Sequence, residues 1–156
     1  MQLYTSKQTR KIDNLAIKQK DISGYSLMQD AAEFSLNVLI QEWGKADQVV
    51  VFCSKGKNSG DGFLLASYAK EFGLDSLIVL SSPIKEISGV AKKAFEEAKE
   101  SGVSVVSSNS FNKIKITKNA VIVDALIGTG LKGEVRSSIK KAIQSKFLKE
   151  NKLDYG

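Results

Sequence analysis

Apolar and polar residues alternate along the chain in two periods, which predict four strands and five helices. Short runs rich in β-branched residues, such as Gln48–Cys53, predict buried parallel strands. Longer segments with apolar residues three and four positions apart predict amphipathic helices. The predicted strands are 48–53, 76–80, 103–106 and 121–123, and the predicted helices are 6–20, 26–43, 63–72, 88–100 and 138–148.

After the first two helices, strands and helices follow one another in turn. This order predicts an α/β fold, a three-layer, doubly wound, mainly parallel sheet of the Rossmann-like type with two N-terminal helices. No internal repeat or linker interrupts the pattern, so residues 1–156 are expected to form a single domain. The last predicted element is a helix, where such a fold normally adds another strand, so we expect the domain to be truncated at its C-terminus.

The second predicted helix is apolar over much of its circumference. It carries Leu27, Met28, Phe34 and Val38 among other apolar residues. We therefore expect it to be largely buried, and it could also serve as the interface of a homodimer. In the helix at 88–100, the residues expected to point inward are Val90, Ala94, Phe95 and Ala98.

The composition excludes several classes of chemistry. The chain has no histidine, which removes serine–histidine triads and most catalytic zinc sites. Its single cysteine, Cys53, ends an apolar strand and is expected to be a small buried hydrophobe. The net charge of +6 comes from lysines scattered along the whole chain, which predicts a solvated surface. No leader or membrane-spanning run is visible, so a cytoplasmic protein is expected.

The first candidate site follows the first strand. Ser54–Gly62 reads as a polar, glycine-rich turn that ends at a helix N-terminus, where free N–H groups and the helix dipole favour an anion. Asn58 and Asp61 could add oxygen ligands, or they could be ordinary turn and capping residues. The three glycines are expected to allow unusual torsions and a close approach of the backbone to a ligand: Gly56, Gly60 and Gly62.

The second candidate site follows the fourth strand. Asp124 ends this apolar strand, and a glycine-rich loop follows at Gly128–Gly133. A carboxylate in this position could bind a cation, position a sugar hydroxyl, or cap a neighbouring loop or helix. With the strand order 3-2-1-4, strands one and four are neighbours at the point where the order reverses. The two glycine-rich segments are therefore expected to face each other across one crevice.

These segments resemble the N-terminal domain of the NAD(P)H-hydrate epimerase family. Gly56–Gly62 reads GKNSGDG, similar to the family's GNNGGDG, and Val123–Leu131 reads VDALIGTGL, similar to VDALFGTGL. Leu27–Ala32 reads LMQDAA, similar to LMERAG. The three motifs occur in the family's order, and the resemblance covers nearly the whole chain.

The resemblance implies an isomerase of metabolite repair, which interconverts the R and S epimers of hydrated NADH and NADPH so that an ATP- or ADP-dependent dehydratase can restore the S form. It also implies one potassium ion per subunit, held by Asn58 and Asp124, whose amide and carboxylate oxygens suit a hard cation. The residues that would line the NAD(P)HX site are Lys57, Asn58, Ser59, Gly60, Asp61, Gly128, Thr129, Gly130, Leu131, Lys132, Gly133 and Glu134.

The chain departs from the family pattern in two respects. Lys57 stands where the family has asparagine, Ser59 where it has glycine, Gln29 where it has glutamate and Ala32 where it has glycine. The family's acid/base aspartate is expected in a segment like VDIPSG, and nothing after Ser138 matches that segment. The catalytic residue is therefore unassigned, and weak or absent turnover is expected of these 156 residues alone.

A catalytically inactive binding or interaction module of the same fold is the alternative interpretation. Related domains serve as interaction modules, some of them linked to RNA metabolism, and the positive charge leaves room for such a role. The chain lacks the interleaved aromatic and basic residues that stack single-stranded bases, so a nucleic-acid partner is not expected. The pairing of Asn58 with Asp124 favours the epimerase.

Overall fold

The computed structural model describes residues 5–19 and 23–128. Two short 3-10 helices, Ile84–Glu86 and Phe111–Lys113, lie in the connections. The predicted helix at 138–148 lies outside the described residues. The main elements are α1 (Ser6–Gln19), α2 (Gly24–Glu42), β1 (Gln48–Cys53), α3 (Lys57–Phe72), β2 (Asp75–Leu80), α4 (Gly89–Glu100), β3 (Ser104–Ser107) and β4 (Ala120–Ala125).

The strands form one parallel sheet in the order β3-β2-β1-β4. This confirms the predicted α/β fold and the predicted strand order. β1 is central, and its last residue, Cys53, is in register with Leu80 of β2 and with Ala125 of β4. The order reverses between β1 and β4, so the switch point lies at the carboxyl ends of these two strands.

β1 is buried along its whole length because both of its faces are covered. Val49, Val51 and Cys53 belong to the core that the sheet shares with α2, α3 and α4. Val50 and Phe52 face the other side, where Phe111 packs edge-on against Phe52 with ring centroids 5.1 Å apart. A strand buried on both faces explains the continuous apolar run that marked β1 in the sequence.

The second helix is less buried than expected. α2 packs against α3 with one side, which contains Tyr25, Met28, Ala32 and Leu39. The exposed fraction of Phe34 is 69%, so the prediction of a largely buried helix is wrong. A helix that is covered by its neighbours on one side leaves the other side in water whatever that side carries. A homodimer through this side stays a prediction.

One residue of α4 does not point inward as predicted. Val90 is exposed and Ala91 takes the inward position, whereas Ala94, Phe95 and Ala98 are buried as predicted.

None of the helices in the described part of the chain is long and apolar enough to cross a membrane.

The glycine-rich segment after β1 is mostly helical, which corrects its interpretation as a turn. α3 begins at Lys57 rather than at Phe63, so Gly60 and Gly62 lie inside its first two turns. Among the described glycines, a positive φ occurs only at Gly73, Gly89 and Gly102, so the unusual torsions expected of the segment are absent.

Close packing explains two of these glycines instead. A Cβ added at Gly62 would lie 2.6 Å from the Cβ of Ala125 and 3.0 Å from the Sγ of Cys53. A Cβ added at Gly60 would lie 2.5 Å from the Sδ of Met28. Glycine at position 62 therefore lets the start of α3 approach the strand ends more closely than any other residue would, whereas at Gly60 the neighbour is the flexible end of the Met28 side chain.

We predict that Gly62→Ala destabilises the protein by about 1–3 kcal/mol, because the new methyl group meets strand atoms that cannot move aside easily. Gly24→Ala is the matched control, since nothing lies within 4 Å of a Cβ added there. The free energy of unfolding in urea measures both changes. Equal stabilities of the two variants would contradict the packing account.

Candidate functional site

The N-terminus of α3 stands at the switch point of the sheet. Only Ser54–Gly56 separates it from the end of β1. Gly56 occupies the N-cap position, and no side chain caps the helix there. The first turn, which includes Lys57, therefore offers backbone N–H groups and the positive end of the helix dipole at the carboxyl ends of the strands. This arrangement suits an anionic group such as a phosphate.

Ser59 joins the two candidate segments directly. Its Oγ accepts a hydrogen bond from the Ser54 backbone N–H at 2.7 Å and donates one to the Ala125 carbonyl oxygen at 2.9 Å. The side chain has no exposed surface. The hydroxyl of Ser59 is thus engaged within the protein, and the substrate contact predicted for this residue stays a prediction.

Asn58 and Gly128 lie close to each other. A Cβ added at Gly128 would lie 3.3 Å from the Cβ and 3.5 Å from the Oδ1 of Asn58. Asn58 is half-buried and Gly128 is exposed. The structure thus brings Gly128, the first residue of the second glycine-rich segment, close to the first segment, as the strand order predicted. Thr129, Gly130, Leu131, Lys132, Gly133 and Glu134 lie outside the described residues.

Asp124 lies at the carboxyl end of β4 and is exposed. Its Oδ1 accepts a hydrogen bond from the Leu126 backbone N–H at 2.9 Å, so it acts as a local cap, one of the roles left open by the sequence. Neighbouring residues of a strand face opposite sides, and Ala125 faces α3. Asp124 and Asn58 therefore approach the edge of the sheet from opposite faces.

These two residues fit a monovalent hard cation better than a transition metal. The described residues contain no group of three or more His, Cys, Asp or Glu side chains that could hold a metal ion. Asn58 contributes an amide oxygen, and Asp124 has a second carboxylate oxygen besides the one that accepts from Leu126. Oxygen donors of this kind are what hard cations prefer.

The carboxyl group of Asp61 in α3 has an unusual pKa. Burial, and to a smaller extent the negative charge of Asp13 in α1, raise the pKa of Asp61 to about 6. Burial likewise raises the pKa of the Cys53 thiol, and the charge of Asp124 adds to the effect. Cys53 is thus buried as predicted, and its raised pKa keeps the thiol protonated, whereas Asp61 can change its charge near neutral pH.

Other polar side chains at the same edge of the sheet were not singled out in the sequence. The Oγ atoms of Ser54 and Ser82 are 3.1 Å apart, and the Nζ of Lys55 is 2.5 Å from the Oε2 of Glu86. Ser54 and Lys55 follow β1, and Ser82 follows β2. Their position just beyond a parallel strand was the available signal, since such residues gather at one edge.

The fold and the topology of its sheet together define a doubly wound α/β domain with a parallel sheet. The family model "YjeF-related protein N-terminus" matches residues 24–152. The chain belongs to this family.

Relatives with assigned names agree with the resemblance seen in the motifs. The bifunctional NAD(P)H-hydrate repair enzyme Nnr of Coxiella burnetii is 36% identical over 135 residues, which cover 86% of this chain and 27% of the relative. The NAD(P)H-hydrate epimerase of Rhodopirellula baltica is 28% identical, and the match covers 90% of this chain and 58% of the relative. The NAD(P)H-hydrate epimerase of Elusimicrobium minutum is 31% identical, and the match covers 92% of this chain and 68% of the relative. The chain therefore spans only part of the relatives that it matches.

A solved structure supports the fold independently. The crystal structure of the yeast protein ynu0 matches with a TM-score of 0.72 at 22% sequence identity, over 92% of this chain and 64% of that chain. At this identity the likeness establishes the fold alone.

We predict that Asp61 makes stability depend on pH. In the unfolded chain Asp61 loses its proton near the ordinary value of about 3.9, whereas in the folded protein it keeps the proton up to a pKa of about 6. Between these values the folded state binds more protons, so the contribution of Asp61 to stability falls as pH rises from about 4 to about 6.

Asp61→Asn should remove this fall and make the variant more stable than the parent at pH 7, by about 1 kcal/mol after allowance for partial exposure. Urea unfolding at pH 4.5 and pH 7 measures the difference. Asp13→Asn is the control and should give a smaller effect, because the charge of Asp13 is the smaller cause. Parallel pH profiles of the parent and Asp61→Asn would contradict the prediction.

Proposed function

We propose that this chain acts as an NAD(P)H-hydrate epimerase, or as the coenzyme-binding part of one, and interconverts the R and S epimers of hydrated NADH and NADPH. One observation carries the proposal. The two segments that resemble the family's motifs meet at the switch point, through the contact of Asn58 with Gly128 and the hydrogen bond of Ser59 to Ala125. The names of the related epimerases support the same activity.

In this proposal the dinucleotide lies across the carboxyl ends of β1 and β4. The uncapped first turn of α3 receives a phosphate through backbone N–H groups, and Lys57 adds positive charge beside it. Gly128 leaves space next to Asn58 because it has no side chain. Proton transfer at the hydrated carbon is not assigned to any of residues 5–19 or 23–128.

We propose Asn58 and Asp124 as ligands of a potassium ion. When bound, the ion would supply positive charge at the crevice. Asn58 belongs to α3 and Asp124 to β4, so a shared cation would also tie the helix to the strand. Support for this assignment comes from the oxygen donors themselves and from their positions next to Ser59 and Ala125, which are hydrogen-bonded to each other.

A dehydratase is the expected functional partner. Two of the relatives are named as bifunctional NAD(P)H-hydrate repair enzymes, and this chain matches about a quarter of each, 27% and 28%. We therefore propose that the epimerase activity works together with a dehydratase that consumes one epimer. The cytoplasmic location stays a prediction.

The test is to incubate the chain with the separated R epimer of hydrated NADPH and to follow formation of the S epimer by chromatography. We expect the chain to bind hydrated NADPH and to accelerate the interconversion only weakly, more in potassium buffer than in lithium buffer. A rate equal to that of buffer alone, together with no measurable binding of hydrated NADPH, would contradict the proposal.

Asp124→Asn should lower the apparent potassium affinity by about tenfold or more, because an amide oxygen carries no formal charge to offset that of the ion. Asp30→Asn is the matched control, since Asp30 is exposed on α2. Titration of potassium against binding of hydrated NADPH measures the change without requiring turnover. Equal potassium dependence in the two variants would exclude Asp124 as a ligand.

A further inference from the structure

We propose that Ser59 is a positioning residue, whose hydroxyl holds the first turn of α3 at a fixed distance from the carboxyl ends of both β1 and β4. This inference rests on the proposed function, because the two segments that it holds together are the two halves of the proposed coenzyme site. It concerns the hydroxyl of Ser59, and the substrate contact predicted for this residue stays a prediction.

The geometry uses the only donor of the hydroxyl and one of its two acceptor lone pairs. The Oγ of Ser59 accepts from the Ser54 N–H at 2.7 Å and donates to the Ala125 carbonyl oxygen at 2.9 Å. A serine hydroxyl can donate one hydrogen bond, and here the acceptor is the carbonyl oxygen of Ala125. Cys53 and Ala125 are the last residues paired between β1 and β4, so Ser59 links the strands where their ladder stops.

The positions of Asn58 and Asp124 depend on the hydrogen bonds of Ser59. Asn58 immediately precedes Ser59 in α3, and Asp124 immediately precedes Ala125 in β4. Without the Oγ of Ser59, the Ser54 N–H and the Ala125 carbonyl would lose their partner in a region where Ser59 and Ala125 are both buried. A buried polar group left without a partner favours displacement, which would change the spacing between Asn58 and Asp124.

The serine is also a feature of this chain rather than of the motif. The similar family segment has glycine at this position, and glycine has no hydroxyl to make either bond. The hydroxyl can therefore be removed by Ser59→Ala, which deletes both hydrogen bonds.

Ser67 provides a matched control in the same helix. It is fully buried like Ser59, and its Oγ lies 2.6 Å from the Oγ of Ser101. It stands eight residues further along α3, about 12 Å along the helix axis, away from the switch point. Ser59→Ala and Ser67→Ala thus remove the same buried group, and only the first removes it from the bridge.

The experiment compares both variants with the parent in the full chain. We expect both to lower the melting temperature by about 2–8 °C, because each loses a buried hydrogen bond. We expect only Ser59→Ala to weaken binding of hydrated NADPH, by about tenfold or more, at a temperature where every variant is folded. Calorimetric titration measures affinity, and hydrogen exchange at the Ser54 amide should be faster only in Ser59→Ala.

Three outcomes would overturn the inference. In the first, Ser59→Ala binds hydrated NADPH as tightly as the parent does. In the second, Ser67→Ala weakens binding by the same factor, which would mean that lost stability alone is responsible. In the third, the parent neither binds nor epimerises hydrated NADPH, and the proposed function then fails together with the inference.

Ser59→Cys covers the case in which Ser59→Ala does not fold. A thiol keeps a weaker donor and acceptor at the same place, so its affinity for hydrated NADPH should fall between those of the parent and Ser59→Ala. If Ser59→Ala is unfolded, a folded Ser59→Cys with unchanged affinity would overturn the inference, and weaker binding without a comparable effect in Ser67→Ala would support it.

Discussion

The close approach of α3 to the ends of β1 and β4 is the constraint on which the rest of the site depends. Gly62 allows it, because any Cβ there would overlap with Ala125. Ser59 then fixes it by hydrogen bonds to both strand ends. Close packing and directional bonding act on the same helical turn, so the position of Asn58 relative to β4 is determined by protein contacts before any ligand binds.

This constraint connects the fold to the chemistry. A helix N-terminus attracts anions only where its N–H groups are accessible, and α3 presents them at the edge where the sheet order reverses. Asn58 and Gly128 come from segments 70 residues apart in sequence, yet they are in contact there. A phosphate-bearing coenzyme and a hard cation both match what this edge offers, namely backbone donors, an amide and an exposed carboxylate.

The sequence predicted the topology well because the topology depends on repeated patterns. The continuous apolar run of β1 and the regular alternation of strands and helices indicated a doubly wound parallel sheet. The Rossmann-type order assumed for that sheet was then sufficient to bring the two segments together. The start of α3 was missed because a segment of glycines and small polar residues has the composition of a turn. Only the three-dimensional neighbours, such as Ala125 beside Gly62, reveal that these residues are packed inside a helix.

The properties of single side chains were the least predictable. The raised pKa of Asp61 needs the burial of α3 and the nearby charge of Asp13, neither of which a motif contains. The pairing of Lys55 with Glu86 joins residues 31 positions apart. The exposure of Phe34 depends on which side of α2 is covered by other elements. The sequence of a helix that is apolar on most sides does not show which side that is.

The central claim is that the segments around Asn58 and Gly128 form one coenzyme site. The most direct measurement is an NMR titration of the isotope-labelled chain with hydrated NADPH, following the backbone amides of these two residues. The account predicts that both signals shift along one saturation curve with a common dissociation constant. A shift of only one of them, or two curves with different constants, would contradict it.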